Sequence, residues 1–335
     1  MPRLLAHAFK LGIIVACFGL IYFAVDFDDF WAKLTIASPI LVAAAFGCVL
    51  VEPLLMAHRT RLLLQQKGIF IGFFQLTRLV FISNFLSVAV PSGAGPDAVR
   101  ILMLKRSGHS GTHSTSTLLM DRMLSVLSLA LLSFPGLILV WSHTTERALL
   151  WSVLGVMILV LILSVLAISR VPGLVLGWMI RRLCTSREDE QSFAQRLLHW
   201  GRTSLKLLAS VHTSFREFSV KKAVLVRILF WNVVNQFLRV IQILLLFSAF
   251  GHSLPMATGL AFVPVILLVV LLPITYYGLG VKEGAFLFFF VQVGVPASTC
   301  LAVSVLTYAL VFGAMIPGAV FLLWRENVTK EAEIG

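Results

Sequence analysis

Charged side chains are scarce in this sequence. Asp, Glu, Lys and Arg make up 13% of its 335 residues, about half the share found in an ordinary soluble domain. A water-soluble fold needs that charge on its surface, so the scarcity excludes a conventional globular protein. Acids are scarcer still, 15 against 27 Lys and Arg, which leaves a formal net charge of +12. With 59% of residues hydrophobic, the basic excess does not point to nucleic acid. It fits basic loops that face anionic headgroups. Cysteine is sparse, and Cys17, Cys48, Cys184 and Cys300 show no metal or redox spacing. Cys184 lies in a basic stretch and reads as a free thiol. His109 and His113 are four apart in a Ser/Gly/Thr-rich stretch without a third ligand, so neither a metal nor another cofactor is expected. Gly-x-Ser-x-Gly, a Walker loop and His-Glu-x-x-His are all missing. The expectation is a protein that is not an enzyme, whose transport would run downhill or on an ion gradient.

Long apolar runs are what the sequence has instead. A membrane span takes about 20 apolar residues. Phe9–Val25, Ser38–Ala57, Leu118–Trp141, Leu149–Ser169, Val224–Phe250 and Ser298–Trp324 qualify. The first follows Arg3 and Lys10 and runs into Asp26, Asp28 and Asp29 with no small-residue cleavage site. It reads as a retained span rather than a signal peptide. Two further apolar regions are broken. Ile69–Leu104 is interrupted at Pro91–Pro96, and Met256–Val295 at Pro273–Gly280. The fold class is therefore all-α, a polytopic membrane helix bundle of about eight transmembrane helices. Two of its elements, one in each half, are Gly/Pro-broken or re-entrant. The whole of 1–335 reads as one integral membrane domain, with a first half 1–169, a basic segment 170–222, a second half 223–325 and a polar tail 326–335.

Basic loops set orientation. The N-terminal stretch, the stretch His58–Lys67 (Arg59, Arg61, Lys67), the flank Arg100–Arg106 and the segment Arg170–Lys222 are basic, whereas 26–37 and the stretch after Ser142 are not. This alternation predicts a cytoplasmic (inner) membrane protein with both termini in the cytoplasm. It also predicts that the two broken regions enter from opposite faces. Paired breaks in two halves are the sequence pointer to a transporter's midplane site. In 170–222, Leu197, Leu198, Leu205 and Leu208 alternate with Arg196, Arg202 and Lys206, which predicts an amphipathic helix on the anionic leaflet.

Ionisable groups at membrane depth cost roughly 2.5–3.5 kcal/mol each on insertion scales, so those that persist are candidates for function. The first break carries Asn84, Pro91, Ser92, Gly93, Gly95, Pro96, Asp97 and Arg100. Its glycines and prolines leave backbone groups that need protein or a wet cavity as partner. A helix starting near Asp97 points its positive end at the break, which suits a phosphate. The second break leads through Gly278 and Gly280 to Lys282 and Glu283. Asp121, beside Arg122, shares a helix face with Ser125 and Ser128. Asn232, Asn235, Gln236, Arg239 and Gln242 form a stripe on another helix. Arg239 needs a carboxylate or a lipid phosphate; Glu52, Asp97, Asp121 and Glu283 are the candidates. Glu52-Pro53 reads as a kink with a buried partner, and Arg78 as a snorkelling side chain.

In order and spacing, four pieces resemble the family named after the lysylphosphatidylglycerol synthase transmembrane region, also described as flippase-like. They are His58-Arg-Thr-Arg-Leu-Leu-Leu, Asn84-Phe-Leu with Val90-Pro-Ser-Gly-Ala-Gly-Pro-Asp97-Ala-Val-Arg100, Leu119-Met-Asp121-Arg122, and Leu272-Pro-Ile-Thr-Tyr-Tyr-Gly-Leu-Gly-Val-Lys-Glu283-Gly. The resemblance covers nearly the whole chain. Pro96 replaces the second Gly of the family's usual first motif, and Asp121 stands where Glu is common. The resemblance implies about eight membrane helices with re-entrant elements and the handling of a lipid. The soluble aminoacyl-transferring domain of two-domain relatives has no counterpart before Gly335, so "synthase" does not carry over as an activity.

The function expected is a lipid translocase, or a lipid-binding transporter, for an anionic phospholipid, a polyprenyl-phosphate or a glycolipid. Arg100, Arg122, Arg239 and Lys282 would contact the phosphate. Asp97, Asp121 and Glu283 would orient the cations or couple protons, and the breaks at Pro91, Gly93, Gly95, Gly278 and Gly280 would supply backbone groups and hinges, with Asn232 and Gln236 beside them. The alternative is an accessory subunit that recruits a lipid-modifying enzyme or glycosyltransferase through 170–222. Membrane lipids are the expected partners, a membrane enzyme a further one, and nucleic acid is not.

Overall fold

A computed structural model describes residues 35–87, 95–141, several residues of 151–162, 222–271, 275 and 278–334, with side chains as far as 323. The expected first span, most of Leu149–Ser169, the segment 170–222 up to residue 221, Pro91, Gly93 and Pro273 lie outside the described residues. The architecture is all-helical. In chain order the α-helices are α1 (Pro39–Gln66), α2 (Phe73–Ser87), α3 (Gly95–Arg106), α4 (Gly111–Trp141), α5 (Lys222–Ala249), α6 (Met256–Leu271), α7 (Val281–Phe290) and α8 (Ala297–Ile334). Four of them are long and apolar enough to cross a bilayer: α1, α4, α5 and α8, the last over Ala297–Leu323. On α8, Ile316, Val320 and Leu323 are exposed at helical spacing, an outward apolar stripe suited to hydrocarbon.

The broken regions are helical pairs. α2 and α3 contain 15 and 12 residues, α6 and α7 contain 16 and 10. At 1.5 Å per residue none exceeds about 24 Å, short of a hydrocarbon core near 30 Å. α2 packs on α3 and α6 on α7, so each pair is a hairpin of arms too short to cross the bilayer singly. One expectation changes here. His58–Lys67 is not a loop: α1 continues to Gln66 without interruption, since no Gly or Pro follows Pro53 until Gly68. The 326–335 tail is also helical as far as Ile334.

The described chain is a structural repeat. α1 and α5 begin at 39 and 222, α2 and α6 at 73 and 256, α3 and α7 at 95 and 281, α4 and α8 at 111 and 297. The second series therefore trails the first by 183 to 186 residues throughout. The helix ends repeat as well. α1 closes with Gly68 N–H to Gln65 O and Ile69 N–H to Leu64 O, and α5 with Gly251 N–H to Ser248 O and His252 N–H to Phe247 O. Both glycines have positive φ, the left-handed C-cap that a Schellman closure requires. Gly108 with His109 and Gly294 with Val295 close α3 and α7 in the same way. Neighbours correspond too: α2 packs on α8 as α6 packs on α4, and α3 on α4 as α7 on α8. Each half also has a close glycine crossing, although the two glycines stand 182 residues apart, one helical turn out of the 186-residue register of α4 and α8. Gly136, after Pro135 in α4, abuts the Leu260–Ala261 backbone of α6, and Gly318, after Pro317 in α8, abuts the Phe81 backbone of α2.

The two halves are inverted. α1 and α5 are each other's counterparts, and they run antiparallel. Ser38 N–H donates to Ala249 O at 3.0 Å, Glu52 meets Arg239, and Arg59 meets Asn232. Moving seven residues forward on α1 thus moves seven back on α5. Two counterpart helices that run antiparallel across a membrane are related by a twofold axis in the membrane plane, the arrangement of inverted-topology repeats. The α1–α2 and α3–α4 connections lie on one face, called here the first face, and α5–α6 and α7–α8 on the other. The second hairpin is anchored by aromatic contacts, Phe247 and Phe290 tilted at 4.5 Å and Phe262 and Phe289 stacked at 5.3 Å between centroids.

Candidate functional site

A cavity of about 330 Å³ lies at mid-depth in the bundle. Its wall draws on both halves. Asp97 and Arg100 come from the start of α3, Asp121, Arg122 and Ser125 from α4, and Glu52 and Arg59 from α1. Asn235, Gln236 and Arg239 come from α5, and Thr275 and Gly278 from the second break. Glu52, Asn235 and Gln236 fall at the midpoints of their 28-residue helices, and Arg239 is three residues further, about 4.5 Å along the axis. This depth is the hydrocarbon centre, where unpaired charge is most costly.

Each charge is held by another. Arg239 Nη2 approaches Glu52 Oε2 at 2.8 Å, and its Nε donates to the same oxygen. Asp97 bridges two guanidinium groups, Oδ1 to Arg100 Nη2 and Oδ2 to Arg122 Nη1, both at 3.1 Å. Arg59 Nη2 lies 3.6 Å from Asp121 Oδ2, and its Nη1 donates to Asn232 Oδ1. Gln236 Nε2 donates to Ser125 Oγ at 2.9 Å. The lining holds four arginines (59, 100, 122, 239) and three carboxylates (52, 97, 121), a formal charge of +1.

Pairing does not satisfy the wall. Arg100 is 1% exposed, yet its Nε and Nη1 have no acceptor. Asp121 Oδ1, Asn235 Oδ1, Gln236 Oε1 and Thr275 Oγ1 also lack partners. Buried polar groups are ordinarily bonded, and an unmet one costs about 1–3 kcal/mol, more when charged. A cluster of such groups around one cavity is an arrangement for a polar guest.

Of the residues singled out from sequence, Asp97, Arg100, Asp121, Arg122, Gln236, Arg239 and Gly278 line the cavity. Gly95 is buried at the first turn of α3, and Asn232 sits behind the wall on Arg59. Pro91 and Gly93 are outside the described residues. Lys282 and Glu283 are buried elsewhere. Lys282 Nζ lies 3.9 Å from the centroid of the Tyr308 ring and 3.3 Å from Ser304 O. Glu283 Oε2 accepts from Gly280 N–H at 2.7 Å, which caps α7. Arg78 Nη2 donates to Phe321 O on α8 at 3.0 Å, near the end of that span. Sequence reasoning missed Arg59, taken for a loop residue. Its signal was the i, i+7 spacing from Glu52 on an unbroken helix, which sets both on one face.

The fold and cavity define a polytopic membrane protein of two inverted halves with a charged chamber at mid-depth. The chain belongs to the family Lysylphosphatidylglycerol synthase TM region, which matches residues 8–318 and so spans every residue of the cavity. The family's title names a lipid, and a membrane-lipid-related function follows at that level. No curated protein and no solved structure matches the chain.

Proposed function

We propose that this protein holds a membrane lipid by its phosphate headgroup in the midplane cavity and moves it between the leaflets of the cytoplasmic membrane, without covalent chemistry. The observation that carries this reading is the Arg100 guanidinium, buried with two N–H donors unmet in a chamber of net positive charge. A guanidinium edge matches two oxygens of one phosphate. Asp97 holds both Arg100, through Nη2, and Arg122, which orients them while leaving the Nε and Nη1 donors of Arg100 to the ligand. Arg122 and Arg239 are 33% and 34% exposed at their side chains, which marks where the chamber opens. The acyl chains stay in hydrocarbon along the exposed apolar faces.

Charge supports an orientation. Lys67, Lys105 and Arg106 flank the first-face connections, whereas 250–255 and 291–296 contain no Lys or Arg. The first face is then cytoplasmic, with both termini on that side.

The test is leaflet exchange of a fluorescent anionic phospholipid in vesicles holding the purified protein. Arg100→Ala removes charge-assisted bonds of about 1.5–3 kcal/mol each. Losing roughly 2 kcal/mol of headgroup binding slows exchange about 30-fold below saturation. A folded Arg100→Ala protein that exchanges lipid at the unmodified rate would refute the assignment.

A further inference from the structure

The repeat offset assigns counterparts to the headgroup site. At 186 residues, the offset of the α3/α7 and α4/α8 starts, Asp97 corresponds to Glu283, Leu118 to Ser304, Asp121 to Thr307 and Arg122 to Tyr308. The correspondence is chemical as well as positional. Asp97 and Glu283 are both carboxylates in the first turn of a hairpin's second helix. Asp97 reaches Arg122 on α4. Glu283 Oε1 accepts from Ser304 Oγ on α8 at 3.4 Å, and the neighbouring Lys282 covers Tyr308. The first-half group opens on the cavity. The second-half group is set apart from that cavity: Lys282, Glu283, Ser304 and Thr307 do not line it, all four are buried, and the Phe286 ring centroid lies 5.7 Å from Lys282 Nζ.

We infer that the Lys282–Glu283–Ser304–Tyr308 cluster is the second-face counterpart of the Asp97–Arg100–Arg122 site. It is closed in this conformation and opens when the halves exchange roles. The inference rests on the headgroup reading above and gives it a route. Among the described residues the main helix pairs of one half recur in the other, although α5 packs more extensively on α4 than α1 does on α8, so a conformation with the halves exchanged reuses the same helix pairs. Inverted repeats alternate in this way around a fixed midplane site. A buried lysine and glutamate are otherwise a costly way to fill a core that apolar residues fill as well. In the exchanged conformation Lys282 meets the phosphate, Glu283 orients it, and Asp97, Arg100 and Arg122 are closed off from the opening.

Single-cysteine variants, with Cys17, Cys48, Cys184 and Cys300 replaced by alanine, test this in vesicles of defined orientation. The reagent is a membrane-impermeant maleimide applied to one side at a time. Leu118→Cys is expected to label from the first face only. Its counterpart Ser304→Cys, and independently Thr307→Cys, are expected to label from the second face only. Silence of both second-half cysteines in monodisperse protein, or their labelling from the first face, overturns the inference whether or not lipid exchanges. Second-face labelling in vesicles that exchange no lipid instead removes the transport reading and leaves the alternation in place.

Discussion

The close crossing of α2 and α8 sets a measurable limit on what the fold tolerates. A Cβ added at Gly318 would stand 2.2 Å from Phe81 O, 2.7 Å from Phe81 C and 2.8 Å from Phe85 Cβ. Ordinary contact begins near 3.4 Å, so one methyl demands that the helices part by about 1 Å. The obstacle is backbone, which cannot rotate aside. Overpacking of this kind costs typically about 1–3 kcal/mol, and a backbone obstacle belongs at the upper end. Alanine's better helix propensity offsets about 1 kcal/mol. Gly318→Ala should therefore destabilise by about 2 kcal/mol, and Gly136→Ala, 2.4 Å from Ala261 N, by a similar amount. Gly47 is the control. It lies in α1 with nothing within 4 Å of a built Cβ, so Gly47→Ala should be neutral or stabilising by up to about 1 kcal/mol. Thermal unfolding of all three variants in one nanodisc preparation makes the comparison. If Gly318→Ala and Gly47→Ala melt together, α2 and α8 do not approach to within a methyl's width at Gly318.

Glu52→Gln and Arg239→Gln should each destabilise by about 2 kcal/mol, below the 3–5 kcal/mol of a fully buried broken pair because both side chains are partly exposed. The double variant should recover most of that loss while keeping the cavity's net charge, so additive losses in a denaturant titration would refute the pairing. The same stable double variant should exchange lipid more slowly, because the arginine is gone from the chamber wall. A fluorescent protein that matures only in the cytoplasm, fused after Gly335, should light up; a dark fusion at normal expression would reverse the proposed orientation.

Much of this was legible from residue type and order. Long apolar runs gave α1, α4, α5 and α8 to within a few residues at most ends, because a hydrocarbon slab imposes a length that soluble cores do not. Pro91–Pro96 and Pro273–Gly280 marked both hairpins, because backbone without partners at that depth must face protein or a cavity. The Asn232–Gln242 stripe was visible as helical spacing. The partners were not. Glu52 with Arg239 and Asp121 with Arg59 join helices more than sixty residues apart in sequence, a pairing that no local periodicity encodes. Lys282 and Glu283 read like Asp97 and Arg100, as charges following a break. Only the packing of Phe286 and Tyr308 against Lys282, and of Ser304 against Glu283, separates this group from one that lines the cavity.

The antiparallel pairing of α1 with α5 has a consequence for biogenesis. Halves built alike must enter the bilayer upside down with respect to each other, so nothing in their shape tells the insertion machinery which goes which way. That information rests on the cations, with Lys67, Lys105 and Arg106 at one set of turns, none in 250–255 or 291–296, and the basic segment 170–222 between the halves. Two or three lysines placed in 250–255 would pull the second half toward the opposite insertion. The result would be a mixed population in which neither molecule assembles the chamber.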